Sequence, residues 1–426
     1  MGIMFDKVKR ILKEEGFLAL IKKICMDIGY KIYCIRSRSR VTYNKNYNRY
    51  HAMFKKILEE ENYEAVVVFD SRVGWNIPLF QRSQHMANEL TDKGLLYFYR
   101  SSEQFDQDIT EMKKLKDRLY IVNMANYALN NAMFDVLREH KGSKFLSLYS
   151  TDVYLDEPYI KEKYTDAGFH IIYEYIDEMS DQISGYLPEF VYARHKNILS
   201  DTNNFAIGSA DKLIDEIRGI RGDENVAMIT NGVQYKDWIR HEIEVPEKIK
   251  NIVSKGNPII GYFGALAKWF DYELLRKLAV ERPNLEIVLI GFLYDEKFKE
   301  SKVEELPNVH YIGVIDYKDL PKYGKFFDVS TIPFLLNDIT ESTSPVKLFE
   351  YMAMAHPIVT TDMRECRKYK SVLIGKDADD FVAKIDEALS IPKDSEYYKW
   401  LDEEALENTW TEKAQVLYDL VKKNIK

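Results

Sequence analysis

The segment from Thr340 to Thr361 combines residues that could bind a phosphate and a sugar at the start of one helix. Ser344 is a good N-cap and Pro345 suits the first helical position, so the helix is predicted to begin there. The free amides and positive dipole end favour a diphosphate, and Lys347 adds a charge in the first turn. Glu350 lies about 7.5 Å further along the axis. Its carboxylate can accept hydrogen bonds from both hydroxyls of a ribose attached to that diphosphate.

Lys347 and Glu350, three positions apart, could instead form an ordinary ion pair on the helix surface, which contributes a few tenths of a kcal/mol. The surrounding motifs favour binding. The block from Ser344 to Met352 resembles the Ser-Pro-x-Lys-Leu-x-Glu-Tyr signature of GT-B type glycosyltransferases of bacterial cell-surface polysaccharide synthesis. Gly261 to Asp271 is similar to the first strand and glycine turn of that family's C-terminal domain. Asn408-Thr-Trp410 resembles the start of its closing helix.

This resemblance implies two Rossmann-like domains facing a central cleft, an α/β fold of GT-B type. It also implies transfer of a sugar from a nucleotide-diphosphate sugar to a glycan acceptor, with no metal and no cofactor. Catalytic roles are then expected for Lys347, Glu350 and Lys268. The donor-binding residues expected from the resemblance are Gly264, Ala265, Asn337, Thr343, Ser344, Pro345, Lys347 and Glu350.

The chain departs from the family pattern at two points. The family commonly carries two glutamates eight positions apart, whereas Ser342 stands eight positions before Glu350 and Glu341 is one place off. The basic residues expected in and after the glycine turn are replaced by Ala265 and Asp271. Retention at the anomeric carbon is our preferred outcome. Two alternatives stay open, namely an epimerase or phosphorylase on this fold and a non-catalytic, membrane-tethered nucleotide-binding partner of a polysaccharide assembly complex.

The length of 426 residues predicts more than one domain, because single cores rarely exceed about 250 to 300 residues. Short apolar runs alternate with longer amphipathic segments, which is typical of parallel sheets covered by helices. We predict a basic helical extension over residues 1–60, an acceptor domain over 61–235 and a linker over 236–257. A nucleotide-sugar domain over 258–395 and C-terminal helices over 396–426, which could cross back to the first domain, complete the chain.

The predicted strands form two series, one for each domain. The first series is Ala65 to Phe69, Leu95 to Tyr99, Leu119 to Val122, Phe145 to Tyr149, His170 to Tyr173, Asn204 to Ile207 and Val226 to Ile229. The second series is Ile259 to Phe263, Leu285 to Ile290, Val309 to Ile312, Val329 to Ile332, Pro357 to Thr360 and Ser371 to Ile374. Ligands of such sheets bind beyond the carboxyl ends of the strands, so we expect the site in the cleft between the domains.

Polar residues that follow strands of the first series are candidates for binding the acceptor, since binding residues gather in such loops. Histidine, arginine and carboxylate side chains here could bind sugar hydroxyls, and Asp177 could also act as a base. An ordinary buried or solvated role is equally open for His85 and Arg82. The acceptor-side candidates are Asp70, Arg72, Gly74, Arg82, His85 and Asp177.

Residues 1–50 carry 12 Lys and Arg against 4 Asp and Glu, while the whole chain has a net charge of −8. Apolar residues in this arm recur at helical spacing, at Phe17, Leu20, Ile21, Ile24 and Ile28. A basic amphipathic helix of this kind can lie on an anionic membrane, which would suit a lipid-linked acceptor. The alternative is that the apolar stripe packs on the protein itself.

The remaining composition excludes several classes of function. A pI near 5.7 argues against nucleic acid as a partner. Three cysteines fit a reducing compartment, and neither a metal-binding spacing nor a Walker A or Gly-x-Gly-x-x-Gly motif is present. The run Asp377-Ala-Asp-Asp380 is predicted to cap a helix near Phe381 rather than to hold Mg²⁺. With no apolar run of membrane-spanning length and no signal-peptide pattern, we expect a cytoplasmic protein, peripheral at most to the inner face of the membrane.

Overall fold

The computed structural model describes residues 17–37, 40–77, 80–101, 106–180, 186–239 and 244–426. Its two sheets follow one another along the chain. The strands of the first sheet are β1 (Ala65–Phe69), β2 (Leu95–Ser101), β3 (Met112–Lys116), β4 (Leu119–Asn123), β5 (Lys144–Tyr149), β6 (His170–Tyr175), β7 (Phe205–Gly208) and β8 (Val226–Met228). Those of the second sheet are β9 (Ile259–Phe263), β10 (Glu286–Ile290), β11 (Val309–Gly313), β12 (Val329–Ile332), β13 (Ile358–Thr361) and β14 (Val372–Gly375).

The first sheet has the order β3-β4-β2-β1-β5-β6-β7-β8 and the second β11-β10-β9-β12-β13-β14. All their pairings are parallel except that of β3 with β4. β1 reads Ala-Val-Val-Val-Phe and is buried throughout, as expected for a central parallel strand covered on both faces. Every predicted strand is present within two residues of its predicted limits, whereas β3 was not predicted. The predicted fold of two Rossmann-like domains is confirmed.

Helices cover both faces of each sheet. Those before and within the first domain are α1 (Phe17–Ser37), α2 (Arg40–Glu60), α3 (Arg82–Asp92), α4 (Tyr127–Glu139), α5 (Glu157–Lys163), α6 (Glu189–Ser200) and α7 (Asp211–Arg221). Those that follow are α8 (Tyr235–Trp238), α9 (Lys250–Val253), α10 (Tyr272–Glu281), α11 (Lys297–Ser301), α12 (Leu320–Gly324), α13 (Asp338–Glu341), α14 (Val346–Ala353), α15 (Ala378–Ser390), α16 (Glu396–Glu407) and α17 (Trp410–Lys422). Short 3-10 turns lie at Thr165–Ala167, Glu247–Ile249, Val303–Glu305, Tyr317–Asp319 and Cys366–Lys368.

Two terminal helices belong to the first domain although one of them lies at the far end of the chain. Tyr50 and Phe54 of α2 are 1% exposed and lie in the core beside β1 and β2. Trp410 of α17 is fully buried in the core on the other face of the same sheet. The first domain therefore begins at α2, within the predicted extension, and is completed by the last helix of the chain.

Helix α1 shows its apolar side to solvent. Tyr30 is buried, and its hydroxyl donates a hydrogen bond to Asn123 Oδ1 at 3.3 Å. The exposed apolar side chains of the helix recur at helical spacing, at Phe17, Ile21, Ile24, Ile28, Ile32 and Ile35. The alternative in which this stripe packs on the protein itself is wrong for these residues. The rest of the predicted arm, residues 1–16, lies outside the described residues.

Candidate active site in the interdomain cleft

The carboxyl ends of the two sheets meet across a cleft, and direct contacts join its two sides. After β8, the Asn231 side chain donates a hydrogen bond to the Ser344 carbonyl at 2.7 Å, and the Asn231 amide donates to Ser344 Oγ at 3.2 Å. After β6, Glu178 accepts a hydrogen bond from the Ser342 hydroxyl. The segment leading into α14 is therefore held by the first domain.

Helix α14 begins at Val346 with Pro345 as its N-cap, one residue later than predicted. Ser344 does not cap the helix, and its hydroxyl and carbonyl oxygens instead accept hydrogen bonds from Asn231. The first amides of the helix still have no intrahelical acceptors. The sequence correctly predicts a free helix N-terminus at this place, but the predicted cap instead joins the two domains.

Lys347 lies in the first turn of α14 and is partly buried between two aromatic rings. Its Nζ is 4.9 Å from the centroid of Phe334 and 5.5 Å from that of Tyr262. No carboxylate lies within 4.0 Å of it in the described part of the chain. Burial lowers the pKa of the Lys347 ammonium to about 8, although the nearby Glu350 charge raises it. The lysine is thus an unsatisfied cation that an anionic ligand would stabilise.

Glu350 lies one turn further on and is only 3% exposed. Its Oε1 accepts a hydrogen bond from the Tyr317 hydroxyl at 2.7 Å. Burial raises the pKa of the Glu350 carboxyl to about 7, although Tyr317 and Lys347 both lower it. A ligand that donates hydroxyl hydrogen bonds to this carboxylate would favour its charged form.

Tyr317 and Trp238 are site residues that sequence reasoning missed. Trp238 of α8 lies in the predicted linker, is 1% exposed and stacks on Phe263 at 5.3 Å between ring centroids. It also meets the Tyr317 ring edge-on at 5.6 Å. Neither residue belongs to a motif or follows a predicted strand directly. Only their packing against α14 brings them to Glu350.

Gly264 follows β9 with φ of +141°, a conformation that side chains rarely adopt. A Cβ on it would lie 2.8 Å from Cε of Lys347, so the glycine makes room for the lysine. Ala265, next in the chain, lines a cavity of about 200 Å³ together with Lys347. The residues that complete its lining are Asp177, Tyr262, Trp269, Phe334, Ile339, Thr340 and Thr343.

Among the described residues, Asp177 is the only one of the first domain in that lining. Burial raises the pKa of its carboxyl to about 6, although Arg82 lowers it. Thr343 lies on the opposite side, and its hydroxyl donates to the Ile339 carbonyl at 2.7 Å. The structure thus brings a predicted acceptor-side residue to the predicted donor-side residues Lys347, Thr343 and Ala265.

Two other predicted site residues, the donor-binding Asn337 and the catalytic Lys268, lie at the surface. Asn337 is exposed and acts as the N-cap of α13, where its Oδ1 accepts from the amides of Ile339 and Thr340 at 3.0 and 3.2 Å. Lys268 is exposed, and its backbone amide donates to Asp295 at 2.7 Å. Neither side chain lines the cavity that contains Lys347.

The acceptor-side residues after β1 are dispersed. Asp70 is fully buried and accepts hydrogen bonds from Arg100 and Tyr164, so it lies in the domain core rather than on the cleft. Arg72 is exposed, with its guanidinium 3.8 Å from the centroid of the Tyr154 ring. Gly74 is buried, and its carbonyl accepts from the Gln84 side chain at 3.1 Å.

Arg82 and His85 of α3 are both buried. Arg82 pairs with Glu174 at 2.8 Å and donates to the carbonyls of Ile229 and Thr230, each at 3.0 Å. The His85 ring stacks on Trp410 at 4.9 Å between centroids, and burial lowers its pKa to about 3. Arg82 thus anchors the loop after β8. His85 is neutral near pH 7 and lines a second interdomain cavity of about 760 Å³, beside Tyr317 and Trp238.

The acidic run at Asp377 is a helix cap, as predicted. Asp377 is the N-cap of α15, and its carboxylate accepts from the Asp380 amide at 2.9 Å. Within the described ranges, no cluster of three or more His, Cys, Asp or Glu side chains could hold a metal ion. None of the helices in the same ranges is both long and apolar enough to cross a bilayer.

Two facing domains with these sheets and this cleft define the GT-B fold. Residues 257–390 match the family described as group 1 glycosyl transferases, and this stretch spans β9 to α15, including the turn at Gly264 and helix α14. The match thus covers most of the second domain, and the resemblance seen in the sequence is confirmed.

Solved structures with the same fold cover most of this chain at low sequence identity. A glycosyltransferase from Rickettsia africae ESF-5 has a TM-score of 0.62 and 12% identity, over 86% of this chain and 99% of that one. Anabaena HepE, in a complex with UDP and glucose, has a TM-score of 0.61 and 12% identity, over 84% of this chain and 99% of its own. Sucrose-phosphate synthase from Thermosynechococcus elongatus has a TM-score of 0.61 and 14% identity, over 84% and 98%.

A similar sequence is TuaH of Bacillus subtilis (strain 168), provisionally named as a teichuronic acid biosynthesis glycosyltransferase. It is 24% identical over 184 residues, which are 41% of this chain and 45% of TuaH. The match thus spans less than half the length of this relative.

Proposed function

We propose that this protein is a glycosyltransferase that moves a sugar from a nucleotide-diphosphate sugar to a glycan acceptor. The observation that carries the proposal is the placement on α14 of a partly buried Lys347, which has no carboxylate partner among the described residues, one turn from a buried Glu350, at a helix N-terminus that faces the cleft. The helix N-terminus with Lys347 suits a diphosphate, and Glu350 suits a ribose attached to it. The HepE structure, solved with UDP and glucose, supports UDP-sugars as the first donors to test.

The chemistry follows from the charge of the leaving group. When the bond from the anomeric carbon to the diphosphate breaks, negative charge grows on the diphosphate oxygen. The first amides of α14 and the Lys347 ammonium are fixed in place before the reaction and interact more strongly as that charge grows. They would provide differential stabilisation of the transition state without a metal ion. Retention at the anomeric carbon rests on the family resemblance, and NMR of the product would test it.

Nucleotide binding tests this proposal directly. UDP, GDP, TDP and CMP would be titrated by calorimetry without added metal into the wild-type protein and into Glu350→Ala. Glu387→Ala, an exposed glutamate of the same domain, is the matched control. We expect one nucleoside diphosphate to bind, with at least tenfold weaker binding in Glu350→Ala alone. Absence of binding by every nucleotide would contradict the proposal, and binding without turnover of any acceptor would favour the non-catalytic alternative.

We further propose that α1 places the enzyme on an anionic membrane, where it would meet a lipid-linked acceptor at the cytoplasmic face. The support is the exposed apolar stripe of α1, in which Phe17 is 66% and Ile35 72% exposed. Lys22, Lys23, Lys31 and Arg36 lie on the same helix. A helix with an apolar face and basic flanks gains energy both from burial in the interface and from anionic headgroups.

Vesicle sedimentation separates this role from a structural one. Deleting residues 1–50 would remove core residues of α2, so substitution is the better test. Ile21, Ile24 and Ile28 would be replaced together by Ser, with Ile220→Ser, an exposed isoleucine of α7, as the control. We expect the wild type and the control to sediment with phosphatidylglycerol vesicles and the triple variant to remain in solution. Equal sedimentation of all three would overturn the membrane proposal.

A further inference from the structure

Among the described residues, one carboxylate lines the cavity of about 200 Å³ next to Lys347, and it comes from the other domain. Asp177 follows β6, and the cavity wall opposite it belongs to the second domain, including Lys347 and Thr343. Asp177 and Lys347 form no ion pair within 4.0 Å. The cavity therefore separates two opposite charges that a ligand could bridge.

The position of Asp177 is fixed by its neighbours on both sides in the chain. Tyr175, at the end of β6, donates a hydrogen bond to Glu216 at 2.8 Å. Glu178 accepts from Lys212 at 2.9 Å and from the Ser342 hydroxyl across the cleft. These contacts hold the backbone around Asp177 against the second domain. The carboxylate is thus supported by its surroundings but has no protein partner of its own among the described residues.

The rest of the cavity suits a sugar ring. Three aromatic side chains, Tyr262, Trp269 and Phe334, line it, and Thr340 and Thr343 border the same space. Of the three rings only that of Trp269 is partly exposed, so it is the one that could pack on the C–H side of a pyranose. Lys347 is also a residue of the proposed diphosphate site. A glycosyl group attached to that diphosphate would lie next to this cavity, because Lys347 borders both.

From this placement we propose that Asp177 binds the transferred sugar through its hydroxyls and selects neutral sugars against uronic acids. The inference rests on the proposed function, because it assumes that a nucleotide sugar binds at α14. Burial raises the pKa of Asp177 to about 6, so the group is mostly ionised near pH 7.5 and then carries a partly buried charge without a partner among the described residues. Hydroxyl donors would relieve that cost, whereas a sugar carboxylate would add a like charge. The charge of Lys347 would be matched by the diphosphate.

Two donors that differ only at C6 test the inference. UDP, UDP-glucose and UDP-glucuronate would be titrated at pH 7.5 into the wild type, Asp177→Asn and Asp338→Asn. If the screen above selects another base, the corresponding nucleotide sugars would be used. Asp338 is an exposed carboxylate near the same rim that does not line the cavity, so it is the matched control. Wild type and control should bind UDP-glucose at least tenfold more tightly than UDP-glucuronate. For Asp177→Asn, the affinities for UDP-glucose and UDP-glucuronate should differ by less than threefold. Its affinity for UDP should lie within twofold of the wild-type value.

The discrimination between the two sugars and the binding of UDP test different parts of the proposal. Equal binding of the two sugars by the wild type, or unchanged discrimination in Asp177→Asn, would overturn the inference. Unchanged discrimination together with loss of transfer would assign Asp177 to the acceptor, as a base. Failure of UDP and of every other diphosphate to bind would contradict the proposed function itself, which makes that failure distinguishable from failure of the inference alone.

Discussion

Lys347 and Glu350 lie in surroundings that disfavour their charged forms, and a ligand would stabilise those forms. Burial lowers the pKa of Lys347 to about 8 and raises that of Glu350 to about 7. Both charged forms are therefore less stable here than in water, and each is only partly populated near neutral pH. A diphosphate would stabilise the lysine cation, and ribose hydroxyls would stabilise the carboxylate. Nucleotide binding should therefore depend on pH in a predictable direction.

We expect the affinity for a nucleoside diphosphate to be highest between about pH 7 and pH 8. As the pH falls below about 7, Glu350 becomes protonated and loses acceptor capacity. As it rises above about 8, Lys347 loses the charge that attracts the diphosphate. Calorimetric titrations from pH 5.5 to 9.5 would measure both limbs. Glu350→Gln should flatten the acid limb only and Lys347→Met the alkaline limb only. A profile identical in all three proteins would contradict the assignment.

Tyr317 should act as a positioning residue for Glu350. Its hydroxyl donates to Oε1 and lowers the pKa of the carboxyl, which leaves Oε2 as the freer acceptor. Tyr317→Phe should weaken nucleotide binding by about threefold to tenfold, the loss of a hydrogen bond to a charged group being partial. It should also move the acid limb of the binding profile to higher pH.

The control for Tyr317 is Tyr272→Phe, which removes another buried hydroxyl from the same domain, one with no hydrogen-bond partner among the described residues. Because Tyr272 does not contact Glu350, its substitution should leave the pH profile unchanged. An equal shift in both variants would indicate a general change of packing rather than positioning.

At the scale of elements, the site depends on the fit between the turn after β9 and the first turn of α14. The turn passes so close to the helix that a Cβ at Gly264 would contact Lys347 at 2.8 Å. The neighbouring turn at Gly291 is closer still, because a Cβ there would lie 1.8 Å from the Gly264 carbonyl oxygen. Only glycines at these two positions allow three elements to converge on one point.

Gly264→Ala should therefore displace Lys347 and weaken diphosphate binding by more than tenfold. It should also lower stability by about 1 to 3 kcal/mol, because φ is +141° at this position. Gly313→Ala is the matched control, since its φ is +84° and a Cβ would meet nothing within 4 Å. Chemical denaturation and calorimetry would separate the two effects. Backbone strain predicts a similar loss of stability in both variants, whereas displacement of Lys347 predicts weaker binding in Gly264→Ala alone. Equal binding by the two variants would contradict the displacement.

At the scale of the whole molecule, the end of the chain completes the domain formed by its beginning. Asn408 and Trp410 pair with Val233 through backbone hydrogen bonds of 3.0 and 3.1 Å, beside the connection between the domains. The Trp410 side chain then enters the core of the first sheet and stacks on His85. The two domains are thus joined both by the linker and by α17.

Trp410→Ala should destabilise the first domain, although Trp410 comes after the second domain in the sequence. Replacing a fully buried tryptophan by alanine costs about 3 to 5 kcal/mol. Hydrogen exchange should accelerate in β1 and β2, which share this core, more than in β9 and β10. Trp400→Ala removes a partly buried tryptophan of the second domain. It should accelerate hydrogen exchange in β9 and β10 more than in β1 and β2. Uniform acceleration in both variants would contradict this account of α17.

The sequence by itself determined the strands of both sheets except β3 and the free N-terminus of α14 beside Lys347 and Glu350. These features follow from local apolar periodicity and from residues within one or two turns of each other. β3 was missed because Met-Lys-Lys-Leu-Lys is a polar edge strand that lacks the apolar pattern.

Only the tertiary structure decided which distant residues meet. Tyr317 contacts Glu350 across 33 positions, and Asp177 joins Lys347 at one cavity although they lie in different domains. The same holds for Ser344, whose predicted capping role was displaced by Asn231, and for α1, whose stripe could equally have packed inward. Such contacts depend on how whole domains pack, and local patterns along one chain contain no record of that packing.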